Sequence, residues 1–208
     1  MNFVNETLDW IGRAICLLIP VFGLLVLQQL PSSELTDLAL SSGHWWTLWS
    51  GHLLHYTMDH FIWDALMFVV FACLLWPVER WRMWLWLGIA APFISIFVFW
   101  VEPALQEYRG VSALDTMLCV RFFVGFLRSD CRGERWLLGA LPLFGITLKI
   151  GYEWIFGQAL FVSDLGAGVV PLASAHFAGL IFGLLWGAFR FYACISIISK
   201  CTSSNGSH

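Results

Sequence analysis

The stretch HFIWDALMFVVFACLLWPV, residues 60–78, decides the fold class of this chain. It is almost continuously apolar, and its two ionisable side chains, His60 and Asp64, stand near its start. An α-helix needs about 20 predominantly apolar residues to cross a bilayer. The stretch therefore predicts a membrane-spanning helix.

Five further apolar runs of similar length accompany it. Membrane barrels are built from alternating segments of about ten residues, whereas these runs are continuous and about twice that length. The chain is 59% hydrophobic and 12% charged, against about 25% charged in soluble domains. We predict one all-α membrane domain over residues 1–208, a six-transmembrane-helix bundle. Its predicted helices cover residues 11–30, 60–78, 83–101, 112–127, 136–156 and 171–191.

Charge and cysteine content exclude several classes of protein. The net charge of -3 leaves no basic surface of the kind that nucleic-acid binding needs, which excludes nucleic acid as a main partner. The apolar runs make the lipid bilayer the expected partner instead. The six cysteines form no CxxC pair or metal-ligand spacing, and we predict neither a metal nor a cofactor. The N-terminus is acidic and lacks the basic region of a cleavable signal peptide.

The basic residues predict the orientation of the bundle. Eight of the eleven Lys and Arg residues fall on one side of the six runs, and cytoplasmic loops are the ones that accumulate them. Both termini should therefore face the cytoplasm. The first outer loop, residues 31–59, carries Trp45, Trp46 and Trp49, which suit the headgroup layer.

Ionisable side chains within the runs are functional candidates, because an unpaired one in hydrocarbon costs several kcal/mol. The pattern HFAGLIFGLLWG places His176, Gly179, Gly183 and Gly187 on one stripe of the sixth run. Small residues at this spacing allow close helix packing. We expect the stripe to press His176 against a partner helix.

Ser112, in the sequence YRGVSALD, opens the fourth run. One interpretation is that it caps the helix, since serine is a favoured capping residue. The other is that it is a nucleophile, whose backbone N–H at a positive helix end could hold an oxyanion. Ser112 and His176 begin their helices on the same outer side, so they could meet as nucleophile and general base.

These residues, taken in order, resemble the rhomboid intramembrane serine proteases. The match extends over residues 44–190 and includes the GHLLHYTMDHFIWD segment, with His55 in the place of an upstream loop histidine, and Glu79 at the end of the second run. The motif positions are Gly110 and Ser112, then Ala175, His176, Gly179 and Gly183, and in the second run His60 and Asp64.

The resemblance implies a serine endopeptidase that cleaves the transmembrane anchors of membrane proteins near the extracytoplasmic face. Ser112 would attack, His176 would act as base and then as acid, and His60 with the Ser112 N–H would hold the oxyanion. Among rhomboids the compact chain is most similar to the rhombosortase subfamily, which implies C-terminal Gly-Gly anchors as substrates. The implied location is the bacterial inner (cytoplasmic) membrane.

The chain also departs from the rhomboid pattern. Ala113 replaces a glycine, and Thr116 stands where the family often has a side chain that supports the base. Asp64 replaces an asparagine, and it either stays protonated or pairs with His60. Asp115 could bond to His176 and complete a Ser-His-Asp triad, but we favour an ion pair between Asp115 and Lys149.

Two other functions compete with proteolysis. The departures could mark a catalytically inactive rhomboid-like protein that binds membrane helices. The charges within the runs could instead serve a small transporter. Transporters commonly show inverted halves with matching broken helices, and this sequence has no such correspondence. The remaining charged residues, Arg121, Lys149 and Glu153, are expected to set the register of the helices, with Arg121 either snorkelling to the cytoplasm or paired within the bundle.

Overall fold

The computed structural model describes residues 44–160, 162 and 169–204, together with residues 14, 18, 20–27, 29, 38 and 39. These parts of the chain are helical and contain no strand, which confirms the all-helical class. A 3₁₀ turn spans Gly51–Leu53, and a π-helical turn spans Arg135–Ala140. The helices are α1 (Thr47–Ser50), α2 (Met58–Glu79), α3 (Arg82–Val101), α4 (Ser112–Phe126), α5 (Arg132–Glu134), α6 (Leu141–Phe156) and α7 (Ala173–Ser204).

Two of the described helices, α2 with 22 residues and α3 with 20, are long and apolar enough to cross a membrane. The hydroxyl of Thr57 starts α2 by accepting a hydrogen bond from the backbone N–H of His60 at 3.1 Å. The helix ends at Glu79, and its C-cap residue, Arg80, has a φ of 51° that turns the chain into α3. Both helices agree within two residues with their predicted runs.

The fifth and sixth runs differ from their predicted limits. The fifth is helical from Arg132 rather than 136, and it passes through the π turn just before Pro142. Proline lacks the N–H of a regular helical bond, so the wider turn adjusts the bonding there. The sixth continues to Ser204 rather than 191, since no glycine or proline occurs between positions 188 and 204. Of the first run, residues 20–27 are described and helical, and the rest lies largely outside the described residues.

Helix α4 lies at the centre of the fold, packed most extensively against α7 and also against α2, α3 and α6. The largest side chains at this centre are completely buried, whereas large apolar side chains on the outer faces are exposed. The buried set includes Met83, Ile94, Met117, Leu118 and Trp186. The exposed set includes Ile62, Leu66, Leu74, Phe93, Ile96, Phe144, Leu148 and Phe189.

The glycine stripe of α7 is in contact with α4, as the sequence predicts. A Cβ on Gly179 would lie 2.1 Å from the carbonyl oxygen of Ala113, and one on Gly183 would lie 2.7 Å from the Cβ of Val120. One on Gly187 would lie 2.5 Å from a methyl carbon of Val124. No side chain fits at these distances, so the glycines set the separation of the two helices.

A buried ion pair joins α2 to α4 at the end of the bundle away from Ser112. The guanidinium of Arg121 donates to the carboxylate of Glu79, and both side chains are buried. The guanidinium also lies over the Trp186 ring, 5.6 Å from its centre. Of the two alternatives for Arg121, pairing within the bundle is therefore correct.

Candidate active site

A cavity of about 570 Å³ lies among α2, α4, α6 and α7. Most of its wall is apolar, and a few polar groups converge on the start of α4. Pockets of this size and character are typical of small-molecule and substrate sites. Its apolar lining includes Trp63, Met67, Ile146, Leu160, Val170 and Leu172.

Ser112 and His176 meet at the wall of this cavity. Ser112 is the first residue of α4, and His176 lies in the first turn of α7. The Oγ of Ser112 is 3.0 Å from the Nε2 of His176, which is hydrogen-bond distance. The serine is half-buried and the histidine is buried. The spatial arrangement that the sequence predicts, a hydroxyl of the fourth run against an imidazole of the sixth, is present.

Ser112 does not cap its helix through its side chain. The N-cap residue of α4 is Val111, and no side-chain hydrogen bond caps this end. The capping interpretation of Ser112 is therefore wrong. Because Ser112 is the first residue of the helix, its backbone N–H has no acceptor within the helix.

The other ring nitrogen of His176 faces a carboxylate on α6. The Nδ1 of His176 lies 2.7 Å from an Oε atom of Glu153, whose side chain is almost fully buried. The other Oε of Glu153 accepts a hydrogen bond from the Nζ of Lys149 at 2.6 Å. Lys149 and Glu153 are four residues apart on α6, so one helix face presents both.

Two predictions about Asp115 are corrected by these contacts. Lys149 pairs with Glu153, and neither carboxylate oxygen of Asp115 has a hydrogen-bond partner among the described residues. The proposed Asp115–Lys149 ion pair and the Asp115–His176 bond are therefore both absent. Asp115 points into the cavity, while Lys149 and Glu153 approach His176 from the neighbouring helix, which places Glu153 nearer the imidazole.

A second cluster lies beside Ser112, where His60 and Asp64 line the cavity. One Oδ of Asp64 lies 3.2 Å from the Nε2 of His60 and 3.2 Å from the Nε2 of His55. This favours pairing over an isolated protonated carboxyl. The Nδ1 of His60 is buried and has no hydrogen-bond partner in the described part of the chain. Burial lowers the pKa of His55, and Asp64 opposes that shift.

Gly110 fits closely over this cluster. Its φ is 125°, a conformation that side-chain-bearing residues rarely adopt. A Cβ at this position would lie 3.0 Å from the Cε1 of His60 and 3.5 Å from an Oδ of Asp64. The glycine thus allows the chain to pass over the imidazole two residues before Ser112.

His52, which the sequence analysis does not single out, fixes the loop before α2 against α3. Its Nε2 donates to the carbonyl oxygen of Ala91 at 3.0 Å and also lies 3.0 Å from the Oγ of Ser95. Its Nδ1 can therefore accept from the hydroxyl of Tyr108, 3.4 Å away. Complete burial lowers the pKa of His52 to about 4, so the ring is neutral at pH 7.

Glu153 is the site residue whose role the sequence did not reveal. Its i, i+4 spacing from Lys149 was visible, but the orientation of α6 relative to α7 was not. No group of three or more His, Cys, Asp or Glu side chains within the described ranges is arranged to hold a metal ion. Neither the protein families nor the curated proteins compared with this chain give a match, and the geometry of the site therefore carries its functional assignment.

Proposed function

We propose that this protein is a serine endopeptidase that cleaves the membrane anchors of other proteins through Ser112 and His176. The observation that carries the proposal is the 3.0 Å contact between the Ser112 Oγ and the His176 Nε2 at the wall of a cavity of about 570 Å³. A serine hydroxyl is a poor nucleophile until a neighbouring imidazole accepts its proton. The contact supplies that base.

The reaction follows from the positions of the two side chains. The Oγ of Ser112 attacks the carbonyl carbon of the peptide bond while its proton passes to the Nε2 of His176. The C–N bond then breaks, and His176 returns the proton to the departing amine. Water next attacks the resulting ester of Ser112, and His176 accepts a proton from it. The bond between the carbonyl carbon and the Ser112 Oγ then breaks, and His176 returns the proton to that oxygen, which releases the carboxylic acid and restores the Ser112 hydroxyl.

We propose that two groups stabilise the oxyanion. The backbone N–H of Ser112 has no acceptor within α4 and lies at the positive end of the helix dipole. His60 lines the same cavity and is the residue to which the rhomboid resemblance assigns this role. Its Nε2 lies 3.2 Å from Asp64, and its Nδ1 has no hydrogen-bond partner among the described residues, so the Nδ1 is the ring nitrogen left to face a substrate.

The helices that surround the site suit a location within a lipid bilayer. Helices α2 and α3 have the length and composition of membrane spans, and large apolar side chains cover the outer faces of the described helices. Such a surface suits lipid better than water. We propose a six-span rhomboid-like bundle with both termini in the cytoplasm, in the bacterial inner membrane. The substrates would be membrane-anchored proteins, and the rhombosortase resemblance implies that some of them carry C-terminal Gly-Gly anchors.

Labelling with a fluorophosphonate tests the nucleophile directly. The protein is purified in detergent, and wild type is compared with Ser112→Ala and His176→Ala. We expect labelling of wild type and loss of at least about 10²-fold in both variants, because each removes part of one proton-transfer unit. Ser129→Ala is the matched control, since Ser129 bonds to Glu134 and does not line the cavity. Equal labelling of all four proteins would refute the proposal.

A second experiment addresses the substrate. Co-reconstituted membrane-anchored proteins, with and without a Gly-Gly anchor, are digested and the products are analysed by mass spectrometry. We expect Ser112-dependent cleavage near the outer end of the anchor. Cross-linking of anchors without any cleavage by wild type would instead favour the inactive, helix-binding alternative.

A further inference from the structure

We propose that Glu153, held and balanced by Lys149, is the positioning residue that orients His176 for catalysis, so that the site works as a Ser-His-Glu triad. This inference rests on the proposed serine peptidase function, and it assigns a role to residues on a third helix, α6.

The two ring nitrogens of His176 have different partners. An ionised carboxylate can only accept, so the Nδ1 of His176, 2.7 Å from Glu153, carries the proton of that hydrogen bond. The Nε2 then has a free lone pair, directed at the Ser112 hydroxyl 3.0 Å away. Glu153 thereby selects the tautomer that can accept the serine proton.

The ammonium of Lys149 stabilises the almost fully buried carboxylate of Glu153. Its Nζ donates to Glu153 at 2.6 Å and lies 3.3 Å from the Nδ1 of His176. The ammonium of Lys149 and the protonated Nδ1 of His176 are both donors, so no hydrogen bond joins them. They lie 3.3 Å apart because both donate to the carboxylate of Glu153. Lys149 thus fixes the Glu153 carboxylate and offsets its charge.

No other carboxylate or hydroxyl among the described residues accepts a hydrogen bond from the Nδ1 of His176. Thr116, at the position where the rhomboid pattern often supports the base, donates its hydroxyl to the Ser112 carbonyl oxygen at 2.9 Å. Asp115 makes no hydrogen bond within the described residues. The support that the sequence lacks on α4 is therefore supplied from α6.

The proton and charge balance is simple. When the Ser112 proton moves to the Nε2 of His176, the ring becomes an imidazolium and the substrate carbonyl oxygen becomes an oxyanion. The proton on Nδ1 stays where it is, and Glu153 stays ionised. The gain comes from the negative charge 2.7 Å from the new positive charge.

The test separates charge from geometry at position 153. Glu153→Gln keeps a carbonyl acceptor and loses the charge, Glu153→Leu loses both, and Glu153→Asp shortens the side chain but restores the charge. We expect the rate of Ser112 labelling to fall by about 10²–10⁴-fold in the Gln and Leu variants, with partial rescue in the Asp variant. Glu134→Gln, which lies outside the cavity, is the control.

The pH profile of labelling provides a readout that a merely structural role would not move. The titratable groups near His176 on the helices that surround it are His60, Asp64, Asp115, Cys119, Lys149 and Glu153. Loss of the Glu153 charge removes an attraction for the imidazolium, so the acid limb should move to lower pH in Glu153→Gln. Loss of the Lys149 charge removes a repulsion, so the acid limb should move to higher pH in Lys149→Met. Opposite shifts support the proposal.

The outcomes distinguish this inference from the proposed function. Absence of Ser112-dependent labelling in wild type would refute the peptidase proposal itself. Ser112-dependent labelling in wild type with an unchanged rate and profile in folded Glu153→Gln would refute the role of Glu153 alone. If Glu153→Gln does not fold, Lys149→Met still decides the matter, since an unshifted profile in that variant would contradict the proposal.

Discussion

Gly179→Ala should inactivate the protein without unfolding it. A Cβ at this position would lie 2.1 Å from the carbonyl oxygen of Ala113, whereas carbon–oxygen contacts normally need about 3.3 Å. The obstacle is backbone, which cannot rotate aside, so α7 must move from α4 by about 1.2 Å, the difference between these two distances. Ala113 follows Ser112, and Gly179 lies one turn after His176. The shift therefore falls on their 3.0 Å contact, which would lengthen to about 4.2 Å.

We expect the labelling rate of Ser112 to fall by about 10²-fold, since misplacement of reacting groups by about 1 Å has this effect. The free energy of unfolding should fall by about 1–3 kcal/mol from overpacking, offset in part by about 1 kcal/mol of helix propensity. Thermal unfolding in detergent measures the second quantity.

Two further glycine variants calibrate the result. Gly145→Ala in α6 is the matched control, because a Cβ there meets nothing within 4 Å, and it should keep the wild-type rate. Gly183→Ala, whose Cβ would lie 2.7 Å from Val120, should cause an intermediate loss. A folded Gly179→Ala protein that is labelled as fast as wild type would refute the inference that this helix separation fixes the contact between Ser112 and His176.

Other substitutions test the supports of the site. Arg121→Met removes the guanidinium that balances buried Glu79 and should lower the free energy of unfolding by about 3–5 kcal/mol; a thermal midpoint equal to that of wild type would contradict this. Asp115→Leu removes a buried carboxyl without a hydrogen-bond partner among the described residues and should stabilise the protein by about 1–3 kcal/mol, so lower stability would count against the unpaired state. The pKa of His52 falls from 6.5 to about 4 on folding, so the unfolded chain binds more protons between these values and stability is lost as pH falls from 6.5 to 4, by about 3 kcal/mol. Thermal unfolding at pH 7 and pH 5 should show that the free energy of unfolding falls less in His52→Gln than in wild type. An equal fall in both proteins would exclude His52 as the cause of the pH dependence.

The sequence predicts those features that depend on local pattern. Continuous apolar runs predict α2 and α3 closely, because their lengths follow from composition alone. The spacing of Gly179 and Gly183 predicts the contact of α7 with a neighbouring helix, because these positions share one face. The contact of Ser112 with His176 could be inferred because both residues begin their helices on the same side.

The sequence does not predict features that depend on the rotation of one helix relative to another. Asp115 and Glu153 are both acidic residues within apolar runs, and nothing local distinguishes which of them faces His176. The packing of α6 beside α7 makes that choice, at 2.7 Å for Glu153. The role of His52 is not predicted for a similar reason, because its contacts on α3, Ala91 and Ser95, lie 39 and 43 residues away in sequence.

The distribution of the site over three helices also sets when it can form during synthesis. Ser112 and His176 are 64 residues apart, and a ribosome adds roughly 5–20 residues per second, so about 3–13 seconds separate the two. During that interval the serine is already part of the nascent chain, Glu153 is added partway through, and His176 is still missing. The hydroxyl of Ser112 consequently meets the imidazole only after His176 has been added and α7 has packed against α4, so this contact forms later than α4 itself.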